Sequence, residues 1–123
     1  MSATELEGQV EDDLIRWGAW ARGGGFAALG WPRRKVTHER MDKASDDDVL
    51  AEQVEIAVLS LPRHLMRVVK LRYVYRWPCH QLGKAVRRSR RSVYRDLAEA
   101  RRLIAGRLYG TTAELMLRLS EYA

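Results

Sequence analysis

Residues 79–109 read CHQLGKAVRRSRRSVYRDLAEARRLIAGRLY, and the spacing of their apolar positions decides the fold. Val93, Leu97, Ala100, Ile104 and Leu108 recur at fours and threes, the period of one face of an α-helix. The pattern predicts a long helix over 90–109 with Ser89 as its cap, since a serine hydroxyl accepts from the orphan N–H groups of a first turn. Before it, 79–86 reads as a short helix, and Arg87, Arg88 and Ser89 as the tight turn between the two. Leu82 is the inward apolar residue of the short helix, Ala85 the small residue at the crossing, and Val86 its closing residue. Val93 and Leu97 seat the second helix on the same core. This is the layout of a helix-turn-helix.

The residues left on the outer side of that corner are unusually basic. Arg87, Arg88, Arg90, Arg91 and Arg95 place five arginines in nine residues, interleaved with Ser89, Ser92 and Tyr94. A recognition helix meets base edges with its N-terminal turns, where Arg bridges guanine O6 and N7 and where Ser and Tyr suit phosphates or base edges. Lys84 on the supporting helix is placed to clamp a backbone phosphate. The candidate DNA-binding set is therefore Lys84, Arg87, Arg88, Ser89, Arg90, Arg91, Ser92, Tyr94 and Arg95. The alternative is a solvated helix surface in an αα-corner that binds nothing.

The charge of the whole chain favours the binding reading. Its 123 residues carry 22 Lys+Arg and 16 Asp+Glu, a formal charge of +6. From Pro62 to Leu108 there are 14 basic residues and two acidic ones, Asp96 and Glu99, for +12; the remainder has 8 basic and 14 acidic, for −6. Such a division suits a polyanion partner for one part and a different role for the other.

Outward from the corner, every segment with a period is helical. Leu6, Val10, Leu14, Trp17 and Ala21 mark an amphipathic helix over 5–22, with acids early and Arg16 and Arg22 late, as the helix dipole favours. Gly23-Gly24-Gly25 ends it with a left-handed cap. Residues 26–44 have no period and read as a long loop. Ser45 and Asp46-Asp47-Asp48 open the next helix as a cap and a negative first turn; a metal site is the alternative for the aspartates. Leu50, Val54, Ala57, Val58 and Leu61 form its apolar face. Pro62 fits the first position of the following helix, whose stripe is Leu65, Val69 and Tyr73 and which Trp77-Pro78 breaks. Gly110 closes the long helix, and Thr111 with Glu114 forms a capping box for a last helix to about residue 121. No period of two occurs. The expectation is an all-α fold of five or six helices, divided into 1–60, 61–110 and 111–123.

Several classes of function are excluded on the residues. A single cysteine, Cys79, permits no internal disulfide and no cysteine-based zinc cluster, and His38, His64 and His80 lack metal-ligand spacing. There are no paired catalytic carboxylates, no phosphate-cradling glycine loop after a strand and no nucleophile elbow, so neither an enzyme nor a cofactor is expected. No apolar run nears the ~20 residues that span a bilayer, and the acidic start MSATELEGQVEDD has no apolar stretch of a secretory leader. A cytoplasmic protein fits.

The stretch LPRHLMRVVKLRYVYRWPCHQLGKAVRRSRRSVYRDLAEARRLIAGRL (61–108) resembles region 4 of bacterial sigma factors, especially the extracytoplasmic-function type. The first 60 residues do not resemble sigma region 2. Instead WGAWAR (17–22), a glycine-containing link to LGWP (29–32), and an aspartate-led helix running into SLP are similar, in that order, to the phage late-gene antitermination protein Q family of the phage 21 type. That resemblance implies a protein that binds double-stranded DNA overlapping a late promoter and loads onto a paused bacterial RNA polymerase carrying its sigma factor. It would then travel near the RNA exit channel, close to the nascent RNA, and block terminator hairpins. Within it, Trp20, Trp31, Arg33, Arg34 and Lys35 are candidates for polymerase or RNA contact. Core packing for the tryptophans and loop solubility for the basic triplet are the alternatives. An ordinary helix-turn-helix regulator acting at initiation, and an interaction protein that binds RNA or an acidic partner, are the competing functions.

Overall fold

The hydroxyl of Ser2 accepts from the Glu5 N–H at 3.2 Å and so starts α1 (Ala3–Arg22) two residues before the apolar pattern does. In this computed structural model, which describes residues 2–23 and 46–120, five further α-helices follow: α2 (Asp46–Leu59), α3 (Arg63–Val69), α4 (Cys79–Val86), α5 (Arg90–Tyr109) and α6 (Thr111–Ser120). No strand occurs among the described residues, and the fold is all-α. Ser45, Trp31, Arg33, Arg34, Lys35 and the rest of the 26–44 stretch lie outside the described residues.

The apolar stripes meet as the periodicity requires. Leu6, Val10, Leu14, Trp17 and Ala21 of α1 are buried with Val54, Ala57 and Val58 of α2 and with Leu65, Val68 and Val69 of α3. Leu82 of α4, Val93, Leu97, Ala100 and Ile104 of α5, and Ala113 and Leu117 of α6 complete one continuous core. Fully burying one such aliphatic side chain is worth about 1.5–3 kcal/mol, so this shared cluster is what fixes the helices against one another.

Gly23 closes α1 at φ −79° by donating to the Ala19 carbonyl at 3.0 Å, and Gly24 and Gly25, the other two glycines of the expected left-handed cap, lie outside the described residues. Two local expectations are corrected. Pro62 occupies the cap position ahead of α3, with ψ 147°, and is not the first helical residue. The capping box at Thr111 does not form, because Gly110 reverses the chain in one residue at φ +100°. Its own carbonyl then receives the Ala113 and Glu114 N–H groups, and Thr111 already lies inside α6. Glu114 pairs with Arg118 at 3.0 Å.

The helix of α3 does not run unchanged to Trp77. From Lys70 to Val74 it widens into a π-helical turn, with the Tyr75 N–H donating to the Lys70 carbonyl at 3.2 Å. Arg76 then takes a left-handed φ of 60°, and the Trp77 N–H reaches back to the Leu71 carbonyl at 3.0 Å. An α-helix would have given the Tyr73 carbonyl the Trp77 N–H and the Val74 carbonyl the N–H of residue 78, which is a proline and has none. Two carbonyls are therefore orphaned. Arg22 Nη1 donates to both, at 2.8 and 3.1 Å. Gly18 makes the approach possible, since a Cβ there would sit 2.1 Å from the Tyr73 oxygen. Within WGAWAR, Trp17 fills the core, Gly18 admits the π-turn and Arg22 satisfies it.

Two tyrosine hydroxyls lock α1 further. Tyr73 donates to the Glu11 carboxylate, with oxygen–oxygen separations of 2.5 and 2.8 Å, and Tyr109 donates to buried Asp13, which also receives Gln9 Nε2 at 2.9 Å. Burial raises the Tyr73 hydroxyl far above its ordinary 10.0; Arg101 pulls it partly back and the bond to Glu11 raises it again. Burial and the bond to Asp13 push Tyr109 up to about 12. The folded state thus holds protons that the unfolded chain releases near pH 10. This stabilisation is intact below pH 10 and is lost as pH rises above it, at about 1.4 kcal/mol per pH unit for buried Tyr73. Urea unfolding between about pH 9 and 11.5 is expected to show this alkaline loss, and Tyr73→Phe to flatten it.

Candidate nucleic-acid interface

The corner between α4 and α5 is built from backbone economy. Arg87 ends α4 in the left-handed conformation, φ 56° and ψ 46°, which turns the chain within one residue. The Arg88 N–H then returns to the Gly83 carbonyl at 2.9 Å. Gly83 is buried, and a Cβ on it would lie 2.7 Å from the Arg88 oxygen. Gly83 is therefore the small residue that the turn requires, and Ala85 is half-buried. Ser89 opens α5 as expected, its Oγ accepting from the Ser92 N–H at 3.1 Å and donating to the Ser92 hydroxyl at 3.0 Å. Leu82, Val93 and Leu97 are fully buried beneath the corner.

The nine candidate residues fall into two groups. Lys84, Arg87, Arg90, Arg91 and Arg95 are exposed or half-exposed, and Tyr94 is 52% exposed on the same helix as the last three. Arg88 is exposed as well but is paired: its Nε lies 2.8 Å from Oδ2 of buried Asp96, and Nη2 donates to Oδ1 at 3.3 Å. Ser89 and Ser92 are engaged in the cap. Asp96 is thus neutralised from within, and between Pro62 and Arg95 the chain carries no acidic residue. The outer surface of the corner is consequently cationic.

Arg88→Ala leaves the Asp96 carboxylate buried without its cation. The loss is moderated because the arginine is itself half exposed, and about 1–2 kcal/mol of unfolding free energy is expected to go. Removing both charges, in Arg88→Ala/Asp96→Ala, recovers part of it, which urea denaturation of the four proteins of the cycle measures.

The exposed face also runs further than the corner. An open hollow on α5 is lined by Arg91, Tyr94, Arg95, Ala98, Glu99 and Arg102. Ala98, Glu99 and Arg102 extend the candidate set by two turns. Their spacing from Arg91, at seven, eight and eleven residues, is the periodic signal that marks them.

Of the residues expected to meet polymerase or RNA, only Trp20 is described. It is half-buried against the core, and its Nε1 donates to Asp48 Oδ1 at 3.0 Å across α1 and α2. No group of three or more His, Cys, Asp or Glu side chains is arranged to hold a metal ion, and no helix is long and apolar enough to cross a membrane, among the described residues.

No curated protein and no solved structure matches this chain. The family described as phage antitermination protein Q matches residues 8–116, from the second turn of α1 into α6, and so takes in the WGAWAR lock, the π-turn and the whole cationic corner. The chain therefore belongs to the phage antitermination protein Q family, whose role is the regulation of transcription by antitermination.

Proposed function

We propose that this protein reaches its polymerase through DNA. The α5 face enters the major groove of a promoter-proximal site, with Arg90, Arg91, Tyr94 and Arg95 towards base edges and Lys84 and Arg87 on the flanking phosphates. The protein then loads onto bacterial RNA polymerase in the host cytoplasm and suppresses termination at the RNA exit channel. The 61–110 segment supplies DNA binding and the 1–60 segment the polymerase contact. One observation carries this reading: the exposed positions in the first turn of α5 are cations, and the only acid between Pro62 and Glu99 is buried on Arg88. A rigid helix with that surface attracts a duplex and presents bidentate donors to its bases.

In vitro transcription on a template with a late-type promoter and a downstream intrinsic terminator tests it. Readthrough is expected only when the promoter-proximal element is present, and is expected to disappear in Arg90→Ala/Arg91→Ala. Altered initiation without readthrough would replace this reading with that of an ordinary helix-turn-helix regulator. Readthrough indifferent to the two arginines would remove DNA from the loading step.

A further inference from the structure

We propose that Tyr75, Arg76 and Trp77 form a binding platform for single-stranded nucleic acid, separate from the duplex-binding face of α5. Tyr75 is 65% exposed and Trp77 37%, a wide aromatic surface for a protein whose other described tryptophans, Trp17 and Trp20, are in or against the core. Tyr75 and Trp77 flank Arg76 in the chain, and Lys70, Arg72 and His80 stand in the adjoining turns. From Ile56 to Arg95 the chain has no acid. Exposed aromatics in a chain segment that carries basic residues and no acid match a ligand with both phosphates and accessible base faces. A duplex offers phosphates but keeps its base faces stacked inside. A strand with unpaired bases offers both.

The platform is also held in place before any ligand arrives. The Tyr75 N–H is bonded to Lys70, the Trp77 N–H to Leu71, and Arg72 Nη1 lies 3.5 Å from the Trp77 carbonyl it faces. Arg22 and Gly18 fasten the π-turn behind it to α1. The left-handed Arg76 puts a sharp bend between the rings. Less ordering is then required on binding. Neither the duplex contact on α5 nor loading onto polymerase is needed for this surface to act.

Fluorescence anisotropy with labelled oligo(dT) and oligo(U) of about 12 nucleotides, an abasic deoxyribose-phosphate strand of equal length and a duplex of equal length tests the assignment. Tyr75→Leu/Trp77→Leu is expected to weaken binding of the base-bearing strands at least about tenfold, with abasic-strand and duplex affinities within about twofold. The slope of log affinity against log salt is expected to stay unchanged, because no charge is removed. Tyr75→Phe/Trp77→Phe keeps both rings and retains the affinity, which separates stacking from damage to the fold. A stronger effect on oligo(U) than on oligo(dT) identifies RNA as the preferred strand. Unchanged single-strand binding in the leucine variant overturns the proposal, as does an equal loss for all four probes. Unchanged single-strand binding together with lost binding to purified polymerase overturns it in favour of a protein contact. The readthrough assay above depends on Arg90 and Arg91, so either reading can fail while the other stands.

Discussion

Gly18→Ala is expected to lower the unfolding free energy by about 3–5 kcal/mol, a large share of the 5–15 kcal/mol typical of a small domain. The added methyl would lie 2.1 Å from the Tyr73 oxygen and 2.8 Å from its carbonyl carbon. Both atoms are backbone and cannot rotate away, so α1 must move back from the π-turn. Retreat stretches both Arg22 bonds, at 2.8 and 3.1 Å, and the bond between Tyr73 and Glu11. The Tyr73 and Val74 carbonyls would then be left without donors, and an unsatisfied buried polar group costs about 1–3 kcal/mol. Gly8→Ala is the matched control. Nothing lies within 4 Å of a Cβ at Gly8, and at a helical position alanine is expected to stabilise by about 0.5–1 kcal/mol. Thermal or urea unfolding of the two variants separates the effects by sign. A cost under about 1 kcal/mol for Gly18→Ala would show that α1 does not press on this turn.

The second large effect concerns binding, with stability unchanged. Arg91→Ala/Arg95→Ala is expected to weaken association with the cognate duplex by at least about 30-fold, on the scale of about 1–3 kcal/mol for each base-contacting arginine. If either residue contacts phosphate instead, affinity falls uniformly across sequences and the salt slope drops by about one per residue. Both side chains are exposed on α5, so the melting temperature is expected to move little. Arg118→Ala removes one positive charge from α6, where Arg118 pairs with Glu114, and is expected to change duplex affinity less than about twofold. Equal losses per charge removed, from Arg118 and from the α5 arginines, would mean that net charge, and not the α5 face, holds the DNA.

Legibility in the sequence followed the range of the interaction involved. The stripes Leu6, Val10, Leu14, Trp17 and Val93, Leu97, Ala100, Ile104 announced α1 and α5 because helical periodicity repeats every turn. Ser89 announced the start of α5 because a cap bonds three residues ahead. The Thr111 and Glu114 pair carried the same kind of signal and misled, since the positive φ of Gly110 gave α6 a backbone start instead. Arg88 read as one more cation in a basic run. Its pairing with Asp96 spans eight residues across a turn, and residue type alone could not separate it from Arg87 or Arg90. The π-turn was equally unmarked, although Pro78, which removes the donor for Val74, was in plain view.

Composition, periodicity and local capping were enough to determine that this chain is all-α, that α4 and α5 form a helix-turn-helix, and that its basic charge is concentrated there. These properties depend on neighbours within about two helical turns, and a linear string records such neighbours directly. Only the tertiary structure decided which arginine pairs with buried Asp96, that Gly83 accommodates the turn, and that WGAWAR works as a lock. Arg22 meets carbonyls 51 and 52 residues away, and Gly18 is needed only because a widened helix comes to rest against it. Those roles come from close packing between segments distant in the chain, and they exist only once the helices have been brought together.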